Sequence, residues 1–169
     1  VILCDVSESV ASFAHFTLLL VYALREQFSR VRAFAFVDEV DEITRYFAPG
    51  GDVLEAVERL TAEARVRWVL GRTDYGRVFE RFAERHADEV IGPRTSLLVL
   101  GDARSNYGDL ALPTVTALAG RARHAYWLNP ERRAAWDSGD SAASRYGAIV
   151  PMTECRNLAQ LAGFVTSLA

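Results

Sequence analysis

The feature that most constrains this chain is an alternation. Short apolar, β-branched or aromatic runs recur at VILC (1–4), VRAFAFV (31–37), EITRYF (42–47), SLLVLG (96–101), AYWLN (125–129) and GAIVP (147–151). Between most of them lie patterns with the helical period, over 10–28, 53–64, 75–90, 110–122 and 158–168. Strands that alternate with helices build βαβ units, which predicts an α/β fold: a three-layer, doubly wound, mostly parallel six-stranded sheet. The pair 31–37 and 42–47 breaks the alternation, because only DEVD separates the two runs. A parallel crossover needs about a dozen residues or more, so this pair is expected to supply one antiparallel edge strand. Asp52 after the APGG turn and Asp109 after Gly108 read as helix N-caps. The polar stretch 131–147 reads as a surface excursion between the last two strands.

Half of the 169 residues are hydrophobic, enough for one sizeable core and too few residues for two comfortable ones, so 1–169 is expected to form a single domain. The apolar stretch 16–24 is broken by Thr17 and Tyr22 and falls short of the roughly 20 residues a membrane span needs. The chain starts inside a strand-like run, without Met and without the basic region of a signal peptide, so it reads as a piece of a longer protein. Cys4 and Cys155 are too few for a disulfide scaffold and too isolated for a zinc site, which suits buried thiols and a reduced, cytoplasmic setting. A formal charge of −3 offers no field for nucleic acid or anionic lipid. All 19 basic residues are Arg. With no Lys, the chain has no Walker-A lysine, no Schiff-base amine, and none of the lysine that phospho-aspartyl enzymes normally hold beside their nucleophile.

In an open parallel sheet, ligands bind beyond the carboxyl ends of the strands. Asp5-x-Ser7-x-Ser9 follows the first strand and Asp102 follows SLLVLG, so both are expected on that edge. Thr73 sits in a Gly-flanked loop that opens a helix, GRTDYG (71–76), and is expected there too. Hydroxyls and carboxylates together suit a hard divalent cation, Mg²⁺ or Mn²⁺, which takes oxygen ligands. Taken alone, Asp5, Ser7 and Ser9 suit a helix N-cap ahead of Val10 equally well. Asp74 competes with Thr73 as a ligand and also fits as a residue complementing the helix dipole; Thr73 is preferred. His15, His86 and His124 share no spacing and read as packing or surface residues, as do Trp68, Tyr126 and Trp127. Arg72, Arg77 and Arg104 flank the set and read as a solvated rim or as partner contacts.

The three parts in order, DxSxS, then Thr73, then Asp102 after an apolar strand, resemble the metal-ion-dependent adhesion site (MIDAS) of von Willebrand factor A (VWA) domains. YWLNP (126–130) and the NL at 157–158 are similar to the CoxE-like bacterial members, whose domain lies at the C-terminus of a longer chain. The resemblance implies a VWA or Rossmann-like fold, a metal held by Asp5, Ser7, Ser9, Thr73 and Asp102, and a non-enzymatic module that docks a partner's acidic residue. It also implies work with a MoxR-type AAA+ ATPase in maturing or remodelling a client metalloenzyme. Glu8 and Arg72 stand where many relatives have Gly. The alternative is an enzyme: phosphoryl transfer through Asp5, or hydrolysis through Ser7. No G-x-S-x-G elbow or evident triad histidine favours hydrolysis, and the first turn has no glycines for a dinucleotide.

Overall fold

A computed structural model of the chain describes residues 1–7, 10, 16–22, 24, 30–47, 55, 56, 58, 59 and 73–167. Its centre is a six-stranded sheet: β1 (Ile2–Asp5), β2 (Ala33–Phe36), β3 (Val40–Glu42), β4 (Ser96–Leu100), β5 (His124–Asn129) and β6 (Met152–Glu154). The spatial order is β3-β2-β1-β4-β5-β6, and every neighbouring pair is parallel except β2 with β3. β1 therefore has β2 on one side and β4 on the other, which makes the end of β1 the point where the winding reverses.

The register shows why these runs are apolar throughout. Leu3 lies level with Phe34 and Val99, and Val99 with Trp127. Cys4 lies level with Ala35 and Leu100, and Leu100 with Leu128. Side chains alternate between faces along a strand, and the first row packs into one core with α1 while the second packs into another with Leu18, Leu20 and Val21. Both faces are covered, as a parallel sheet requires.

The helices are α1 (Tyr75–Phe82), α2 (Leu112–Arg121), α3 (Ala143–Gly147) and α4 (Leu158–Ser167). The predicted helix 75–90 is continuous, with one π turn at Ala83–Ala87. Helical backbone is present at 16–22 and at 55, 56, 58 and 59, within the predicted 10–28 and 53–64. Asp52 and Trp68 lie outside the described residues, as does His15. No helix among the described residues is long and apolar enough to cross a membrane.

Four sequence expectations are corrected. The edge strand is Val40–Glu42, which takes the last two residues of DEVD and only the first residue of 42–47. Its ladder stops because the Thr44 hydroxyl takes the Ala33 N–H at 2.9 Å and the Ile43 N–H turns to the Ala33 carbonyl at 2.8 Å, starting a 3-10 turn. GAIVP forms no strand: Ile149 and Val150 donate back to the Tyr146 carbonyl, each at 2.9 Å, and β6 begins after Pro151. Asp109 is no N-cap. It receives the Ala111 N–H at 2.8 Å, and Ala111, left-handed at φ 46°, precedes the helix with Pro in its first turn. Finally, 131–147 is more than a surface excursion, because Ala143 and Tyr146 are fully buried and Tyr146 stacks on Trp127 at 5.0 Å. Cys4 and Cys155 are free and buried, as expected.

Candidate functional site

Asp5 ends β1 and Asp102 lies two residues past the end of the adjacent β4, so the reversal of winding brings both carboxylates to one place. Both are buried, each 1% exposed. The Ser7 N–H donates to Asp5 Oδ1 at 2.8 Å, and the Tyr75 hydroxyl donates to Asp5 Oδ2 at 2.5 Å. Burial pushes the Asp5 carboxyl up to about 7, helped by the charge of Asp102 and opposed by the bonds from Ser7 and Tyr75.

The Asp102 segment folds on itself and on its neighbours. Asp102 Oδ1 accepts the Arg104 N–H at 3.0 Å, while Asp102 Oδ2 is buried with no hydrogen-bond partner among the described residues. The Asn129 amide holds the Asp102 carbonyl at 3.1 Å. Ala103, Asn106 and Tyr107 all have left-handed φ, a conformation that non-glycine residues adopt only when the surroundings enforce it. Asp140 fastens the middle of this segment: its carbonyl takes the Ser105 N–H at 3.1 Å and its Oδ2 the Asn106 N–H at 3.0 Å. Gly101 is required for close approach. A Cβ there would lie 2.1 Å from the Tyr75 hydroxyl and 2.8 Å from the Asp5 Cβ.

Thr73 is 5% exposed and reaches the same edge, because its carbonyl accepts the Asn106 amide at 2.7 Å. Asp74, the alternative to Thr73, has a structural part of its own. Its side chain caps α1, taking the Arg77 N–H at 3.0 Å. Ser7 is also buried, at 4% exposed. Ser9, Glu8 and Arg72 lie outside the described residues. Arg77 is exposed, but Arg104 is no solvated rim: its guanidinium pairs with Glu131 at 2.7 Å and Asp140 at 2.9 Å. The structure thus joins Asp5, Ser7, Thr73 and Asp102 through a few short links.

The residue that sequence reasoning passed over is Tyr75, read only as the start of a helix. It also accepts the Ala103 N–H at 3.3 Å, so one hydroxyl ties β1, the Thr73 loop and the Asp102 loop together. Asn106, Asn129 and Asp140 were missed as well, since nothing local marks a polar residue that fastens a distant loop. Among the described residues no three His, Cys, Asp or Glu side chains gather as metal ligands. The arrangement here is a different donor set, two carboxylates with hydroxyls. Oxygen donors of this kind suit a hard cation, and Asp102 Oδ2 is left without a hydrogen-bond partner among the described residues.

A mostly parallel six-stranded sheet wound in this order, flanked by helices, is the fold of VWA domains. A von Willebrand factor type A structure from Catenulispora acidiphila matches with a TM-score of 0.60 at 16% identity, over 99% of this chain and 40% of that one. Proximal thread matrix protein 1 from the mussel byssus matches at 0.62 and 12%, over 99% of this chain and 45% of that one. A second structure of that mussel protein, described as having a zinc-occupied MIDAS motif, matches at 0.63 and 14%, covering 99% and 46%. The chain spans less than half the length of these solved structures. No curated protein matches the sequence. The family model for VWA domain containing CoxE-like protein matches residues 1–164, and the chain belongs to that family.

Proposed function

We propose that this chain is a metal-dependent docking module. Asp5, Ser7, Ser9, Thr73 and Asp102 would hold one Mg²⁺ or Mn²⁺, and the bound ion would offer a Lewis-acidic position to a carboxylate of a partner protein. The observation that carries the reading is Asp102 Oδ2, a buried carboxylate oxygen with no partner among the described residues, beside a second buried carboxylate. Taking an unpaired charge out of water is expensive, and a divalent cation is the simplest group that offsets two at once. The partner proposed is a MoxR-type AAA+ ATPase in the cytoplasm, or the client enzyme it matures, a reading that membership of the CoxE-like family supports. The 169 residues would act as a single module within a longer protein.

Titration calorimetry should find Mg²⁺ or Mn²⁺ bound at one site and binding lost in Asp102→Ala; equal binding by parent and variant would overturn the site. Surface plasmon resonance against the ATPase should give a signal that collapses with chelator. An esterase or phosphatase turnover abolished by Ser7→Ala or Asp5→Ala would replace the docking reading with an enzymatic one.

A further inference from the structure

Both oxygens of Asp5 are already engaged inside the protein, one by the Ser7 N–H and the other by the Tyr75 hydroxyl at 2.5 Å. The direction of that second bond is set by the far side of the phenol. Because the Tyr75 oxygen accepts the Ala103 N–H at 3.3 Å, its own proton is left for Asp5. The ring has no freedom to turn away: it stacks on Trp127 at 5.6 Å and meets Phe36 edge-on at 5.3 Å. Gly101 leaves just enough room for the hydroxyl, and the Gly101 carbonyl is itself held by the Trp127 indole at 2.8 Å. Asp102 Oδ2, in contrast, is buried with no partner among the described residues. Two carboxylates a strand apart are therefore unequal in what they have left to give.

We propose that Tyr75 is a positioning residue that makes them unequal: by donating to Asp5 Oδ2 it withholds that oxygen from a cation, so that Asp102 makes the stronger anionic contact and the ion keeps its appetite for an external carboxylate. This inference rests on the metal reading above. A cation given both carboxylates in full would be nearly neutralised by the protein and would bind tightly while attracting an acidic partner poorly. A cation given one in full and the other weakened by a hydrogen bond stays electron-poor. Tyr75 would thus trade metal affinity for partner affinity, a role unlike that of a wedge which merely props the site open.

The sign of the effect is the test. Removal of a residue that only supports the fold weakens metal binding, whereas removal of this donor should strengthen it. In calorimetric titration with Mn²⁺ alone, Tyr75→Phe should bind about three- to tenfold more tightly than the parent. The cost of Asp5→Asn, expressed as a ratio of affinities, should be at least about threefold greater in the Tyr75→Phe background than in the parent, because only there would Asp5 act as a full ligand. Incorporation of 3-fluorotyrosine at position 75 keeps the ring and makes the phenol a stronger donor, so its Mn²⁺ affinity should fall below the parent's; this arm stands even if Tyr75→Phe does not fold. Weaker or unchanged binding by a folded Tyr75→Phe, equal Asp5→Asn ratios, or tighter binding by the fluorinated protein would overturn the role of Tyr75 and leave the metal site standing. A parent that binds no Mn²⁺ would overturn both.

Discussion

Asp102 sits in a position that protein interiors rarely tolerate. One of its oxygens receives the Arg104 N–H and the other receives nothing from the described residues. Leaving a buried charged atom unpaired costs on the order of a few kcal/mol, a cost that the proposed cation would offset. Asp102→Asn should accordingly raise the stability of the metal-free protein, by about 1–2 kcal/mol in urea unfolding, and should erase the extra stability gained on adding Mg²⁺. A variant less stable than the parent without metal would show that the carboxylate has a structural partner. The oxygen-bearing residues were readable in sequence because each stands directly after an apolar strand or opens a helix. Tyr75 was not, because its part depends on β4 lying beside β1 and on Gly101 having no side chain, and neither fact is local.

The segment between β5 and β6 behaves as a brace for the Asp102 loop. Arg104 forks between Glu131 at 2.8 Å and Asp140 at 2.9 Å, and the Ala142 N–H closes on the Ala103 carbonyl at 2.9 Å. Burial works to raise the Asp140 carboxyl, but the bond from Arg104 and the Asn106 N–H outweigh it and hold the group below its usual range. A folded-state value below the unfolded one favours folding above the unfolded value, about 3.9, and that contribution is lost as the pH falls through the folded value. Asp140→Asn should therefore cost about 1 kcal/mol at neutral pH, and the gap between parent and variant should narrow as the pH is taken below about 4. A cost that stays constant with pH in parallel denaturant melts would remove the Asp140 charge from the account.

At this scale the sequence was legible in kind and less so in position. The antiparallel strand was expected from the short DEVD spacer, yet its place was misjudged because Thr44 uses a side chain where the ladder would use backbone. GAIVP misled in the same way. Val150 is 1% exposed, and a short apolar run looks alike whether a strand or a helix exit buries it.

At the scale of the molecule, the described residues form two cores with the sheet contributing to both, and β1 is the strand with a partner on each side at the reversal of winding. Leu3 faces one core with no exposed surface. Leu3→Ala should cost about 2–5 kcal/mol, and denaturant unfolding should remain a single transition if the layers melt together. Two separated transitions would mean that the layers hold independently.

The adjacency of β1 and β4 also has a temporal side. Asp5 and Asp102 are far apart along the chain and become neighbours only when β4 docks against β1, a non-local pairing of the sort that forms slowly because a long loop must close first. A nascent or half-folded chain carries each carboxylate on its own. Any ligand that needs the pair thus recognises finished molecules alone, and in binding them it draws the folding equilibrium toward completion.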